Sequence, residues 1–273
     1  METILITGGE GVLGSYFDFG IRMGKKELDI TDLDAVLKVC AEKKPEVIVH
    51  TAALTDLSVC EANPEKAYVV NAVGTYNIAL GARAVGAKVV YVSTSDVFDG
   101  TGNEPYAEGD TPSPVSVYGH SKYLGELAVA SIVKDHLIVR LSWMFGGGPT
   151  KDSKFVGKIL RQQNTPEIRA VNDKRGSPSW GKDVAKSIQM LIDQNESGIH
   201  HLGGGVATRY EMAQEIVSLA GWNTKVVPVD SSEFVSTYPI GTNTSMSSSV
   251  PQRPWKESLA QYIESEWKEA LTV

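Results

Sequence analysis

The amino-acid sequence predicts an α/β fold, a doubly wound parallel sheet followed by a smaller C-terminal region. Three observations lead to this prediction. Short apolar and β-branched runs recur through the first 145 residues, stretches with helical spacing lie between them, and the composition changes after Phe145. Because strands and helices alternate in this way, we expect right-handed crossovers between parallel strands.

Each predicted element of the first half has its own sequence pattern. Four runs have the composition of buried parallel strands: Ile4–Ile6, Val47–Val49, Val89–Val92 and Leu137–Val139. Three stretches between them carry residues at helical spacing: Leu33/Val36/Leu37/Cys40, Ala67/Val70/Asn71/Gly74/Ile78 and Leu124/Leu127/Ala128/Ile132. We expect these positions to form the faces that pack against the sheet.

The second half has shorter and more polar elements. It begins with the run Gly146–Pro149, and two helical patterns follow at Val184–Ile192 and Tyr210–Leu219. The stretch Ser231–Ser249 is rich in serine and threonine. The sequence therefore predicts a first domain over residues 1–145 and a smaller region, mainly residues 146–273, that is interleaved with it.

Composition and charge exclude several classes of protein. The chain has 26 Lys and Arg against 33 Asp and Glu, a net charge of −7, which offers no basic surface for nucleic acid or an anionic membrane. The two cysteines, Cys40 and Cys60, form no CxxC pair. No leader and no run of 18 apolar residues is found. We expect a cytoplasmic protein without nucleic-acid or membrane partners.

A glycine motif follows the first strand directly. Gly8, Gly11 and Gly14 form GxxGxxG in the segment TGGEGVLG. Such a turn lets backbone N–H groups and a helix N-terminus approach a pyrophosphate, although a glycine turn can also serve packing alone. Its position after the first strand favours a Rossmann-like dinucleotide site.

The segment after this motif is unusually short. Thirteen residues, Tyr16 to Leu28, are too few for a full helix and a strand, so we expect a first helix of one or two turns and a reduced strand at Ile21–Met23. Arg22 and its basic neighbours Lys25 and Lys26 would then lie near the adenosine ribose. This favours NADP(H) over NAD(H), but the same cations would also suit a solvated surface.

A tyrosine and a lysine stand four residues apart in the segment YGHSK. Tyr118 and Lys122 would share one helix face, where an ammonium group lowers the pKa of a phenol that exchanges a proton with a carbonyl or alcohol oxygen. Thr94, at the end of a predicted buried strand, offers a hydroxyl to the same oxygen.

Other chemistries have less support. His50 is expected to be a hydrogen-bonded core histidine, and His200 and His201 have no partner at metal-ligand spacing. No GxSxG or Walker signature is present, which disfavours serine hydrolases and P-loop phosphotransferases. We expect no metal site.

Taken in order, the segments TGGEGVLG, HTAALT, VVNAVGTYN, VSTSDVFDG, YGHSK and RLSWMFG resemble an extended short-chain dehydrogenase/reductase. Within that superfamily the chain is most similar to the dTDP-4-dehydrorhamnose reductase group. The shared phrases are LDITD, STxxVFDG, RxSWxFG, the turn Gly176–Ser179 and the stretch Gly198–Gly204.

The resemblance implies a role for each matching residue around the cofactor. The pyrophosphate would be held by Gly8, Gly11, Val12, Leu13 and Gly14. Asp29 and Ile30 would flank the adenine, and the path to the nicotinamide would be lined by Ala52, Ala53 and Leu54. Lys122 would grip the nicotinamide ribose and lower the pKa of Tyr118, the proton donor, while Thr94 polarises the carbonyl.

The resemblance also implies a substrate pocket, formed by Thr94, Ser95, Asp96, Tyr118 and Trp143. Trp143 would pack on the sugar, although a core tryptophan is the alternative, and Asn71 would lie beneath the site. The group usually has Asp-Tyr where this chain has Ser95-Asp96.

Three further departures concern the rest of the pocket. Leu57-Ser58 replaces a Val-Asp pair, Thr242–Met246 replaces an Arg-Pro phrase near the diphosphate, and the second strand is short. A deoxysugar other than rhamnose, or another nucleotide carrier, would fit these changes.

The expected activity is NAD(P)H-dependent reduction of the C4 keto group of a nucleotide-activated 4-keto-6-deoxysugar. Two alternatives remain open at this point: a nucleotide-sugar epimerase that retains NAD, and a non-catalytic regulatory subunit that binds NADP. A 4,6-dehydratase is disfavoured because it would need an Asp-Glu pair where this chain has Ser95-Asp96. A homodimer is also expected.

Overall fold

A computed structural model describes residues 3–271 of the chain. Its strands are β1 Ile4–Thr7, β2 Ile21–Met23, β3 Val47–His50, β4 Lys88–Thr94, β5 His136–Leu141, β6 Met144–Phe145, β7 Glu167–Val171, β8 Arg175–Gly176, β9 Ser179–Trp180, β10 Gly198–Leu202, β11 Ala207–Thr208 and β12 Lys225–Val229. Six of them form a parallel sheet in the order β10-β5-β4-β3-β1-β2. The four buried strands predicted from sequence, which are β1, β3, β4 and β5, are confirmed, and so is the doubly wound α/β class.

The helices are α1 Leu33–Lys43, α2 Leu57–Ala62, α3 Pro64–Tyr68, α4 Gly74–Val85, α5 Val117–Ile132, α6 Gly148–Lys151, α7 Phe155–Leu160, α8 Gly181–Asp193, α9 Arg209–Leu219, α10 Trp255–Tyr262 and α11 Lys268–Leu271. The π-helical segment Val69–Val73 joins α3 to α4, and Ile263–Trp267 joins α10 to α11. In the described range 3–271, no helix is long and apolar enough to cross a bilayer.

The inner strands β1, β3, β4 and β5 of the central sheet bury both of their faces, whereas the edge strand β2 is largely exposed. In β1, Ile4 and Ile6 belong to a core that α8 covers, whereas Leu5 belongs to the core beneath α1, α4 and α5. This alternation follows from the two-residue period of a strand. Burial on both faces explains why the strands are continuous apolar runs.

The short segment after the glycine motif folds as the sequence predicted. One turn of 3₁₀ helix, Gly14–Tyr16, stands where a full first helix would lie, and β2 has three residues. Leu13, Phe17 and α8 fill the sheet face that is left. A helix from the second half of the chain therefore completes the core of the first half.

The predicted buried face of α5 is wrong. Leu124 and Leu127 are 44% and 47% exposed, and the buried side of the helix carries Tyr118, Lys122 and Gly125. Gly125 decides which face of α5 is turned to the sheet, because a Cβ at this position would lie 2.2 Å from the Tyr91 hydroxyl. Close packing of α5 on β4 therefore turns the two leucines outward.

Residues after Phe145 form a second core and also complete the central sheet. The second core contains buried aromatic residues, among them Trp180, Trp255, Tyr262 and Trp267. The outer strand of the main sheet, β10, pairs in parallel with β5 along its whole length. The second half is thus built into the same sheet as the first.

Candidate active site

One cavity, of about 520 Å³, lies at the carboxyl ends of the central strands. The glycine loop lies along one part of its wall, Thr94, Tyr118 and Lys122 along another, and Trp143 and Arg209 complete it. Parallel sheets bind ligands at this edge, where the strand order reverses between β1 and β3. A second concavity, of about 630 Å³, lies away from these residues beside Lys88 and Asp135, which form an ion pair.

The glycine loop packs so closely on its surroundings that Gly8 and Gly14 leave no space for a side chain. Gly8 has φ +70, and a Cβ there would lie 2.7 Å from the backbone nitrogen of Ala52. A Cβ on Gly14 would lie 2.2 Å from the Gly8 carbonyl oxygen. Gly11, Val12 and Leu13 also line the cavity. This cradle fits a pyrophosphate.

The segment after β3 is held against the glycine loop. Ala53 lines the cavity, Ala52 packs on Gly8, and the backbone of Leu54 is held by Asn71. Asn71 Oδ1 accepts from Leu54 N–H at 2.7 Å, and Asn71 Nδ2 donates to the Leu54 carbonyl and to Ser121. Asn71 lies in a π-helical segment, a feature often found at functional sites.

The residues expected at the adenosine end lie outside the cavity wall. Arg22 is exposed on β2 beside Gly9, and its guanidinium reaches the Ser15 carbonyl at 3.5 Å. Asp29 accepts two hydrogen bonds from Thr31, which lower the pKa of its carboxyl. Ile30 is buried in the core. Its side chain therefore packs inside the protein.

Thr94 and Asp96 face the cavity together, and Ser95 does not. Thr94 Oγ1 donates to Asp96 Oδ2 at 2.9 Å and accepts from the Asp96 backbone N–H at 3.1 Å. Ser95 is 2% exposed and is not part of the cavity wall. The prediction that Ser95 lines the substrate pocket is wrong. Its two neighbours, Thr94 and Asp96, face the cavity, and Ser95 itself is buried outside the cavity wall.

The surroundings of Tyr118 favour the protonated form of its phenol. Burial, followed by the negative charge of Asp96, raises the pKa of its phenol well above the usual value. The neighbouring Thr94 side chain opposes this effect on the pKa. Burial and Asp96 therefore act against the lowering of this pKa that we expected from Lys122, and that role of Lys122 stays a prediction.

Lys122 is buried beneath the cavity on the same face of α5 as Tyr118. Its Nζ donates to the Val92 carbonyl at 2.7 Å and lies 4.1 Å from the centre of the Tyr91 ring. Burial lowers the pKa of Lys122 to about 7. The ammonium is thus desolvated and held in place at the cavity floor.

His50 is a buried hydrogen-bonded histidine, as expected. Its ring nitrogens contact Thr7 Oγ1 at 2.6 Å and Thr75 Oγ1 at 3.1 Å, and burial lowers its pKa to about 3. The hydroxyl of Ser93 is buried in the cavity wall, and its Oγ has no hydrogen-bond partner among the described residues. Such an orphaned group is suited to a polar ligand.

Trp143 lines the cavity, but both faces of its ring are covered. A Cβ on Gly176 would lie 2.3 Å from the fused edge of the indole, so the Gly176 backbone covers one face. The guanidinium of Arg209 lies 3.7 Å from the ring centre and covers the other. The Trp143 backbone has φ +44, a left-handed conformation that is costly for a tryptophan.

Sequence reasoning missed Arg209, Phe155 and Lys154, which line the cavity between Trp143 and the segment after β3. None of the three belongs to a motif with a known spacing. The predicted helical pattern Tyr210–Leu219 begins one residue after Arg209, and no single-sequence pattern says that this end of the helix faces the cavity.

Comparison with known proteins identifies the family of this chain. The RmlD substrate binding domain matches residues 1–272. The spore coat polysaccharide biosynthesis protein SpsK of Bacillus subtilis is 32% identical, over 97% of this chain and 98% of its own length. A dTDP-4-dehydrorhamnose reductase of Mycobacterium tuberculosis is 33% identical, over 95% of this chain and 91% of its own.

A solved structure gives the same result. The dTDP-4-dehydrorhamnose reductase of Bacillus anthracis, in complex with NADP, superposes with a TM-score of 0.91 at 33% identity, over 96% of this chain and 99% of its own. The chain belongs to the family of the RmlD substrate binding domain, within the extended short-chain dehydrogenases/reductases.

Proposed function

We propose that this protein is an NADPH-dependent oxidoreductase that reduces the C4 keto group of a nucleotide-activated 4-keto-6-deoxysugar. One observation carries the proposal: Thr94, Tyr118 and Lys122 line the same cavity as the glycine loop. Relatives named dTDP-4-dehydrorhamnose reductase and dTDP-4-keto-6-deoxy-D-glucose reductase support dTDP as the carrier to test first.

The residues of the site divide the chemistry among them. NADPH, when bound, supplies the hydride to the carbonyl carbon. Tyr118 donates a proton to the carbonyl oxygen, and its raised pKa keeps that proton available at neutral pH. Thr94 hydrogen-bonds the same oxygen, and Lys122 holds the nicotinamide ribose.

The rest of the cofactor is assigned to the surrounding loops. The glycine loop holds the pyrophosphate, and Ala52, Ala53 and Leu54 lie along the path to the nicotinamide. Arg22 contacts the 2′-phosphate of the adenosine, with Asp29 and Ile30 flanking the adenine through their backbone. Residues 1–145 therefore carry the dinucleotide and much of the substrate wall, and Lys154, Phe155 and Arg209 of the second half complete that wall.

The reaction can be tested directly. The protein is incubated with NADPH and dTDP-4-keto-6-deoxysugars, and then with the UDP, GDP and CDP forms. We expect NADPH to be consumed in equal amount to the sugar reduced, and Tyr118→Phe serves as the inactive control. Conversion of a sugar into its epimer without NADPH consumption would contradict the reductase and favour an epimerase with retained NAD. Binding of NADPH without any conversion would favour a regulatory subunit.

We propose the cytoplasm as its compartment. Cys40 and Cys60 are both free and buried, which suits a reducing environment.

We also propose a homodimer that forms through an exposed apolar stripe. Val69, Val73 and Tyr76 lie one helical turn apart on the segment that leads into α4, and Leu124 and Leu127 lie on the neighbouring α5. All five side chains are between 39% and 47% exposed. Apolar residues grouped in this way mark interaction surfaces, and a second copy offers a matching one.

The dimer has its own test. Light scattering measures the mass of the wild type, of Leu127→Glu and of the control Leu219→Glu, whose leucine is 39% exposed on α9. We expect Leu127→Glu alone to shift the mass from dimer to monomer. A monomeric wild type, or three equal masses, would contradict the proposal.

A further inference from the structure

Arg209 presents a cation to the substrate side of the cavity. It is the first residue of α9, and its guanidinium stacks on two aromatic rings, at 3.7 Å from the centre of Trp143 and 4.7 Å from the centre of Phe155. Two ring contacts hold the planar group in one orientation. The cation is therefore fixed before any ligand arrives.

This arrangement changes what the tryptophan offers to a sugar. The Gly176 backbone lies against one face of Trp143, and Arg209 covers the other. A sugar cannot lie flat on the indole unless Arg209 moves. At this point the cavity wall is therefore formed by the Arg209 guanidinium, which lies on the Trp143 ring.

The guanidinium has almost no hydrogen-bond partner in the protein. Among residues 3–271, its only hydrogen bond is from Nη1 to the Met212 sulfur at 3.8 Å, and no carboxylate lies within ion-pair distance. Arginine has five N–H donors, and a desolvated cation without hydrogen bonds is costly. Thioether sulfur is a weak acceptor.

The nearby charges do not neutralise it by contact. Asp96 influences Arg209 only through space, and its carboxylate is already hydrogen-bonded to Thr94. Lys154, another cation of the cavity wall, donates only to the Thr55 carbonyl, at 3.4 Å. The region between Arg209 and Lys154 therefore suits an anion.

We propose that Arg209 binds an oxyanion group of the substrate and so determines which substrates the site accepts. The proposal rests on the function proposed above and specifies its substrate. Two groups have this chemistry: the diphosphate that links nucleotide and sugar, and a carboxylate on the sugar itself.

Binding measurements by calorimetry distinguish the diphosphate from a sugar carboxylate as the group that Arg209 binds. The probes are thymidine against dTDP, and dTDP-glucose against dTDP-glucuronate. The variants are Arg209→Gln, Arg209→Lys and the control Arg83→Gln, whose arginine is exposed on α4.

If the anion is the diphosphate, Arg209→Gln weakens dTDP binding by about 10- to 150-fold, leaves thymidine unchanged and reduces the salt dependence. If it is a sugar carboxylate, only the affinity for dTDP-glucuronate falls. Arg209→Lys should recover part of the loss in either case, because lysine keeps the charge but not the planar donor pair. Unchanged affinity for all four probes in Arg209→Gln would overturn the proposal.

Two controls keep this result separate from folding and from the reaction. NADPH affinity and melting temperature should stay near wild type in Arg209→Gln; if that variant does not fold, Arg209→Lys carries the same comparison. NADPH consumption by the wild type tests the reductase alone. If the protein binds dTDP through Arg209 but reduces no 4-keto sugar, the proposed reductase activity is contradicted and the proposed anion site at Arg209 is still supported.

Discussion

The hydroxyl of Thr94 donates its single hydrogen to the carboxylate of Asp96, over 2.9 Å. A substrate carbonyl would need that same hydrogen, so an ionised Asp96 competes with the substrate for Thr94. The charge of Asp96 also raises the pKa of Tyr118. One carboxylate thus acts on both groups that are assigned to the reacting oxygen.

Replacing Asp96 by Asn should move the alkaline limb of the pH–rate profile. Removing the negative charge lowers the pKa of Tyr118, and a proton donor loses activity as pH rises through its pKa. We therefore expect kcat/KM of Asp96→Asn to fall at a lower pH than that of the wild type. Asp34→Asn, on the exposed side of α1, should leave the profile unchanged. A limb that stays in place would show that Asp96 does not act on Tyr118.

Tyr118→Phe should abolish turnover and leave NADPH affinity within a few-fold of wild type. The ring still packs in its buried site, but the transferable proton is gone. Steady-state rates and a binding titration check the two parts. Retention of more than about a tenth of the wild-type rate would remove Tyr118 as the acid.

Lys122→Met should stabilise the nucleotide-free protein while it removes activity. Burial lowers the pKa of Lys122 to about 7, so between that pH and about 10.5 the unfolded state binds more protons than the folded state. The penalty is present in full below about pH 7 and fades as pH rises through this window. At pH 7 the variant should gain as much as about 4 kcal/mol of unfolding free energy.

Urea unfolding at several pH values measures this gain. The stability of the wild type should rise from about pH 7 to 10, and the profile of Lys122→Met should be flatter there. Its NADPH affinity should fall, because Lys122 is assigned to the ribose. Parallel stability profiles in the two proteins would mean that Lys122 carries no such penalty.

Arg22→Ala should erase most of the preference for NADPH over NADH. A charge-assisted contact with a 2′-phosphate is worth roughly 1.5–3 kcal/mol, or about 10- to 150-fold in affinity. Titration of both coenzymes with wild type, Arg22→Ala and Lys26→Ala measures it. Equal affinities of the wild type for the two coenzymes would make the basic cluster part of the solvated surface.

The sequence predicts the structure best at positions where the backbone geometry allows only one type of residue. The close approaches at Gly8 and Gly14 exclude any side chain, so the glycine loop can be predicted from its spacing alone. Tyr118 and Lys122 follow from helical periodicity in the same way. The four long strands follow from burial on both faces.

Other features depend on tertiary packing that no local pattern encodes. The outward direction of Leu124 and Leu127 follows from the contact of Gly125 with Tyr91. The raised pKa of Tyr118 depends on burial and on Asp96, and the spacing of Tyr118 and Lys122 indicates neither. Arg209 contacts Trp143, which lies 66 positions earlier in the sequence, and periodicity within one helix cannot reveal this contact.

Strand β10 joins the central sheet beside β5, and α8 covers the sheet face that the shortened first helix leaves open. During synthesis, a nascent chain that ends before Gly181 lacks both of these elements, and β5 remains an unpaired edge. The N-terminal half therefore cannot complete its folding on the ribosome ahead of the C-terminal half. Truncation after Phe145 should yield an aggregation-prone fragment without a working nucleotide site.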